Sequence, residues 1–305
     1  MKPGVLEEAN RILATRCQYV RKQSRSMPVS PTSHMTKESL FREHTPIETY
    51  RVRGSEIFVK RDDLFAMKPA PPLAKLRGLR LVLEKAYANG IRTVGCWDTR
   101  ISRLGEGLAA CCTQFPDLKC IVSYPTKKGT AEPESIKAAA RLGAAVYPVQ
   151  GGRISISFAR ARDYVRGQEG LMLPFGLECV EAVDGVRREA ARIPSELLKD
   201  GTLVVCCGSG VTLAGLLRGL PTLPNKVIGV SSGRSSKSIT TCLRRYVTEI
   251  PSCLELRPPE MPYSCSLSFA CPFPSHPNYD LKAWKFLINN LRTLREPILF
   301  WNIGA

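Results

Sequence analysis

From residue 57 onward, short runs of β-branched and apolar residues alternate with longer segments in which apolar positions recur every three or four residues. The first pattern predicts strands buried on both faces, the second helices with one apolar stripe. Strands are expected at 57–60, 93–96, 120–124, 145–149, 171–174, 203–207, 227–231 and 298–301. Helices are expected at 73–89, 102–115, 132–142, 154–168, 178–198, 211–220 and 281–294. Their regular alternation predicts an α/β protein with mostly parallel sheets and helices on both faces. So many strands exceed what one compact unit usually carries, so two lobes with a cleft between them are expected. Residues 241–278, rich in Pro, Ser and Cys and weakly periodic, read as a long loop region near that cleft. The sequence carries no internal repeat.

Composition narrows the class. With 44% hydrophobic residues the chain can bury a real core, which excludes disordered and collagen-like proteins. The first 37 residues start helix-like and then turn basic and Ser/Pro-rich; they read as an irregular basic extension or as a tail without order. No signal-peptide core is present there, and no stretch approaches the length of a membrane span, so a soluble, cytoplasmic protein is expected. Lys and Arg number 44 against 27 Asp and Glu, a formal charge of +17. That excess suits a polyanionic partner such as nucleic acid, or a plainly basic surface. Twelve cysteines lie mostly in apolar runs without a CxxC pair and read as reduced, buried thiols. His34, His44 and His276 are too widely spaced to suggest a metal site.

Three local patterns bear on chemistry. Val204 to Cys207 form an apolar run that enters Gly208-Ser209-Gly210 and then the helix pattern beginning Val211-Thr212. Glycines let backbone approach an anion, and a helix start offers unpaired N–H groups, so this is either a phosphate cradle or a plain tight turn. It is neither a Walker A loop nor the GxGxxG of dinucleotide folds. Lys75 follows Pro71-Pro72-Leu73-Ala74 at a helix start. It is either a solvated side chain or, in a desolvated site, an amine able to form a Schiff base. Asp280, in Tyr279-Asp280-Leu281-Lys282, is either an N-cap or a site carboxylate.

In order along the chain, these motifs resemble the fold type II pyridoxal-phosphate enzymes, and especially the aminocyclopropane-carboxylate deaminase and D-cysteine desulfhydrase branch. The resemblance runs from about Thr45 to the end. Thr45-Pro46 with Val59-Lys60-Arg61-Asp62-Asp63-Leu64 is similar to that branch's "TP…KRDDL". Ala74-Lys75-Leu76-Arg77-Gly78-Leu79 is similar to "NKxRKL", Tyr279-Asp280-Leu281-Lys282 to "YEGK", and 298–304 to "VLFxHTGG". Two departures stand out. Ala74 replaces the family's Asn, and 98–109 keeps Gly105, Gly107 and Ala109 of "SSGNHGQGLA" but has Arg103 and Leu104 where Asn and His are expected.

The resemblance implies a two-lobed enzyme similar to tryptophan synthase β. Its large cofactor domain would comprise 38–76 with 171–305, and its small α/β domain 77–170. It implies pyridoxal 5'-phosphate as cofactor, Lys75 as the Schiff-base lysine and proton-transfer base, Gly208, Ser209, Gly210, Val211 and Thr212 around the phosphate, and Asp280 at the pyridine nitrogen. Tyr279 would stack or donate a proton, or simply pack. Arg100, Ser102 and Arg103 fall in the rebuilt segment expected to bind substrate; the two arginines would clamp an anionic group or lie solvated at a helix start. A carboxylate at the ring nitrogen fits a lyase passing through a carbanion. The rebuilt segment and the charge are similar to phage enzymes that decarboxylate glycyl-thymidine during DNA hypermodification, which would place the protein in a host's cytoplasm. A free amino-acid deaminase or desulfhydrase, and a catalytically degenerate nucleic-acid-binding relative, are the alternatives. The family also implies a homodimer.

Overall fold

The computed structural model describes residues 44–67 and 69–304; the extension expected at 1–37 lies outside them. The described chain opens with a hairpin. β1 (Ile47–Val52) pairs antiparallel with β2 (Ser55–Arg61) around Arg53 and Gly54, which both have positive φ, the geometry of a tight two-residue turn. Two prolines precede α1 (Leu76–Ala88) and delay its start by three residues relative to the pattern. The chain divides into two compact units, one spanning Leu83–Phe175 and the other formed by the segment through Val82 with everything from Gly176 onward.

The smaller unit contains β3 (Thr93–Trp97), α2 (Leu104–Cys112), β4 (Lys119–Thr126), α3 (Glu134–Arg141), β5 (Ala145–Gln150), α4 (Ile154–Gly167) and β6 (Leu171–Met172). Its sheet has the order β5-β4-β3-β6, all parallel. Trp97, Ile121, Val149, Ala161, Val165 and Met172 form its core between sheet and α4.

The larger unit continues with α5 (Val180–Ala190), β7 (Thr202–Cys207), α6 (Val211–Gly219), β8 (Lys226–Ser231), α7 (Ser236–Tyr246), β9 (Leu254–Arg257), α8 (Asp280–Asn290) and β10 (Ile298–Asn302). Its sheet has the order β1-β2-β10-β7-β8-β9, parallel except for the opening hairpin. β7 and β10 are buried along their whole length, as their unbroken apolar runs require. On one face Trp284 and Leu287 of α8 join Ile57, Val204, Ile228, Phe273 and Phe300 in one core. Each such side chain contributes about 1.5–3 kcal/mol of burial free energy.

Two expectations need correction. Residues 241–278 are not one loop: α7 runs to Tyr246 and β9 occupies Leu254–Arg257. α7 escapes the pattern because only Ile239, Cys242 and Leu243 are buried in a segment of Ser, Thr, Lys and Arg; Ser235 caps it by accepting from the Ser238 N–H. The helix expected to reach 198 ends at Ala190, ahead of Pro194, which cannot continue it. β1 and β9 are edge strands with polar alternation too short to read. The described cysteines are free thiols, most of them buried.

Beneath the hairpin lies a buried ionic cluster. Lys60 meets Glu189 at 2.5 Å, and Arg77 meets Asp62 at 2.9 Å and Glu189 at 3.3 Å. Thr45 donates its N–H to Glu189 at 3.1 Å, its hydroxyl lies within reach of both Asp62 and Glu189 to donate its one proton to either, and Arg61 pairs with Asp63 at 2.8 Å. Burial pushes the Glu189 carboxyl up, but Lys60 and Arg77 outweigh it and draw the carboxyl down to about 2.

Candidate active site

Parallel pairing brings the carboxyl ends of β10, β7 and β8 to one edge of the larger unit's sheet. In open parallel sheets that edge is where ligands bind. The segments leaving it are Gly208–Gly210 after β7, Ser232 and Gly233 after β8, and Ile303 and Gly304 after β10.

The β7–α6 turn is built for close approach. Gly210 has φ +99°, a conformation other residues adopt only at a cost, and a Cβ there would lie 3.3 Å from the Cys242 thiol. A Cβ at Gly208 would meet only the Ser232 hydroxyl, at 3.9 Å, so that backbone is open. Ser209 Oγ accepts from the Val211 N–H at 3.4 Å and donates to the Gly176 carbonyl at 3.4 Å. Val211 and Thr212 begin α6, placing its first N–H groups at the turn.

Lys75 and Asp280 approach this edge through Ile303. Lys75 is half-buried just ahead of α1. Its neighbour Ala74 donates its N–H to the Ile303 carbonyl at 3.4 Å, and the Ile303 N–H donates to Asp280 Oδ1 at 3.1 Å. Asp280 is not an N-cap: Tyr279 holds that position, and the carboxylate of this first helical residue turns instead to the backbone of 303–304. Asp280 is 1% exposed, and no Lys or Arg among the described residues forms a salt bridge with it. Burial pushes its carboxyl up to about 7, and the negative charge of Asp63 adds to the rise.

Sequence reasoning singled out Tyr279 but missed its surroundings. The Tyr279 hydroxyl hydrogen-bonds that of Tyr263, and the His276 ring lies 4.5 Å from the Tyr279 ring. Tyr263 lies in the segment expected to be a long loop near the cleft, and Gly233 admits it, since a Cβ there would sit 2.6 Å from Tyr263 Cβ. Lys282 was also passed over. Its buried Nζ donates to the carbonyls of Ser232 (3.2 Å), Pro262 (2.8 Å) and Tyr263 (3.4 Å), and burial pulls the ammonium's pKa down. It thereby ties the Tyr263 loop to Ser232, whose N–H donates to Cys207 at the glycine turn.

In the smaller unit, the segment after β3 carries Arg100, Ser102 and Arg103. Arg100 donates to the carbonyls of Pro125 (3.5 Å) and Ala131 (2.5 Å). Arg103 pairs with Glu106 one helical turn on, at 2.9 Å, and Ser102 Oγ accepts from the Leu104 N–H at 3.1 Å. Asp98 accepts from the Gly105 N–H at 2.6 Å.

The larger unit's edge fits pyridoxal phosphate. A half-buried lysine, a glycine turn at a helix start and a buried carboxylate lacking a cation match the aldehyde, phosphate and protonatable ring nitrogen of pyridoxal phosphate. Fold and site together define a pyridoxal-phosphate-dependent enzyme of fold type II. The family model for pyridoxal-phosphate dependent enzymes matches residues 39–260, and the chain belongs to that family. It is 32% identical over 279 residues to a glycyl-dTMP PLP-dependent decarboxylase of Pseudomonas phage M6, covering 86% of this chain and 98% of that protein. Among solved structures, an ACC deaminase homologue superposes with a TM-score of 0.71 at 19% identity, covering 86% of this chain and 89% of the other. A hydrogen sulfide-producing enzyme of Fusobacterium nucleatum gives a TM-score of 0.62 at 16% identity, covering 90% and 98%. Both structural likenesses speak for the fold.

Proposed function

We propose that the protein is a lyase that decarboxylates an amino-acid-modified thymidine nucleotide of the glycyl-dTMP kind. The likeness to the phage decarboxylase supports the substrate class. The observation that carries the chemistry is Asp280, a buried carboxylate tied through Ile303 to the Lys75 segment. When bound, pyridoxal phosphate supplies an electron sink for the pair left on the α-carbon as carbon dioxide departs.

The chain's residues have separable tasks. Lys75 would hold the cofactor through its amine, and as a free amine it would donate the proton that the α-carbon takes in place of the departing carboxyl group. Asp280 holds a proton at the ring nitrogen, where the positive charge in turn stabilises its carboxylate. The N–H groups around Gly208, Ser209, Gly210, Val211 and Thr212 receive the phosphate. Tyr279, oriented by Tyr263, is a proton donor on the substrate side. Ser102 and Arg103 take part in substrate binding, and Arg100 does so by ordering the 125–131 loop. A nucleotide within DNA, a homodimeric assembly and a cytoplasmic setting complete this reading. Among the described residues no helix is long and apolar enough to cross a membrane.

The test is incubation of cofactor-loaded protein with glycyl-dTMP, free and within an oligonucleotide. Carbon dioxide release with an aminoethyl base as product is expected, and none with Lys75→Ala. Ammonia release without carbon dioxide would sink the assignment.

A further inference from the structure

We propose that Lys127, Lys128 and Arg153 form a cationic rim at the carboxyl edge of the smaller unit's sheet and that this rim binds nucleotide phosphate. The proposal rests on the function above, which supplies the nucleotide, and adds a phosphate-binding surface within the smaller unit.

The topology puts these residues together. β4 and β5 are parallel neighbours whose last registered pair is Thr126 with Gln150, so the loops carrying the lysines and the arginine leave the sheet side by side. Gly151 brings them closer still: a Cβ there would lie 2.6 Å from the Thr126 carbonyl oxygen, which any side chain would strike. Lys127 is one residue beyond that contact and Arg153 two residues beyond it.

The lysine loop is held in shape without using up its charge. Thr130 donates to the Lys127 carbonyl from its N–H at 3.1 Å and from its hydroxyl at 2.7 Å, with Gly129 at φ +72° closing the turn. Arg100 braces it from the β3 side, donating to the Pro125 and Ala131 carbonyls that flank the two lysines. The nearby carboxylates are engaged elsewhere. Asp98 accepts from the N–H groups of Thr99 (2.8 Å) and Gly105, Glu132 accepts from the Tyr124 hydroxyl at 2.9 Å, and Glu106 pairs with Arg103. Lys127, Lys128 and Arg153 are exposed, and among the described residues no carboxylate forms a salt bridge with them. Three such cations on a braced rim have the charge to engage phosphate oxygens, the arginine in bidentate fashion and the lysines as point charges.

The same phosphate chemistry comes from two sources, the diester backbone of DNA or the monoester of a free nucleotide. The full-length protein and the triple variant Lys127→Gln, Lys128→Gln, Arg153→Gln are compared in two assays. The first is binding to a short unmodified duplex across a salt series, read without added cofactor. The second is turnover of the free modified nucleotide. With DNA as the source, the slope of log affinity against log salt is smaller by about 2 to 3 in the variant, because each phosphate neutralised contributes about 0.9. With the monoester as the source, KM for the free nucleotide rises about tenfold or more while kcat holds, as expected for loss of charge-assisted contacts to the ground state. Either result supports the rim. A variant matching the wild type in salt slope, duplex affinity and KM overturns it. Wild-type protein that never develops the visible absorbance of lysine-bound cofactor would instead sink the function above, and the duplex assay would still decide the rim.

Discussion

Asp280 holds its proton up to about pH 7 in the cofactor-free fold, whereas in an unfolded chain an aspartate releases it near 4. Between those values the folded state binds more protons, so this residue's contribution to stability falls as pH rises from about 4 and is fully lost above about 7. Cofactor-free Asp280→Asn is therefore expected to melt above the wild type at about pH 8, with the gap closing toward pH 4, in thermal scans across pH. Adding cofactor should raise the melting temperature of the wild type more than that of the variant, since the anion gains a protonated ring. At Lys75, alanine should abolish the visible absorbance of bound cofactor and lower kcat about a thousandfold or more; arginine should not rescue it, because a guanidinium does not deprotonate. Lys75, Asp280 and the glycine turn could be proposed from sequence because each occupies a recognisable local context. Tyr263, His276 and Lys282 could not. Their roles come from contacts between segments, a hydroxyl pair, a ring contact and three backbone carbonyls, that leave no periodic trace.

At the level of elements, buried strands and strongly amphipathic helices were readable because burial imposes an apolar pattern along them. β1 and β9 were not, because half-buried edge strands of six and four residues show too little alternation, and α7 was not, because its apolar stripe of Ile239, Cys242 and Leu243 is narrow and set in a polar segment. The "KRDD" run resembled a family signature, but its sequence did not reveal the buried salt bridges that tie β2 to α1 and α5. Glu189→Gln leaves Lys60 and Arg77 without their shared carboxylate and is expected to cost about 3 kcal/mol or more, measurable by chemical denaturation near neutral pH. The depressed carboxyl of Glu189 contributes stability that is present above about pH 4 and lost as pH falls through about 2, so the penalty should shrink in acid. Lys282→Met releases the three carbonyls that link the Tyr263 loop to the end of β8. It should weaken cofactor binding about tenfold, with kcat largely restored at saturation, as judged by cofactor titration.

Across the whole molecule, the formal charge of +17 pointed to a polyanionic partner without saying where it binds. The proposed cationic rim gives part of that charge a place, at the carboxyl edge of the smaller unit's sheet, while the glycine turn leaves the carboxyl edge of the larger unit's sheet. The proposed function, decarboxylation of a glycyl-modified thymidine nucleotide, stands or falls on the chemistry at the larger unit's edge. The most direct measurement is the gas and base product formed from glycyl-dTMP labelled at its carboxyl carbon. Labelled carbon dioxide in equal amount to an aminoethyl base, dependent on both added cofactor and Lys75, is the expected result. Label retained in a deaminated product, or turnover indifferent to Lys75→Ala, would rule the decarboxylase out.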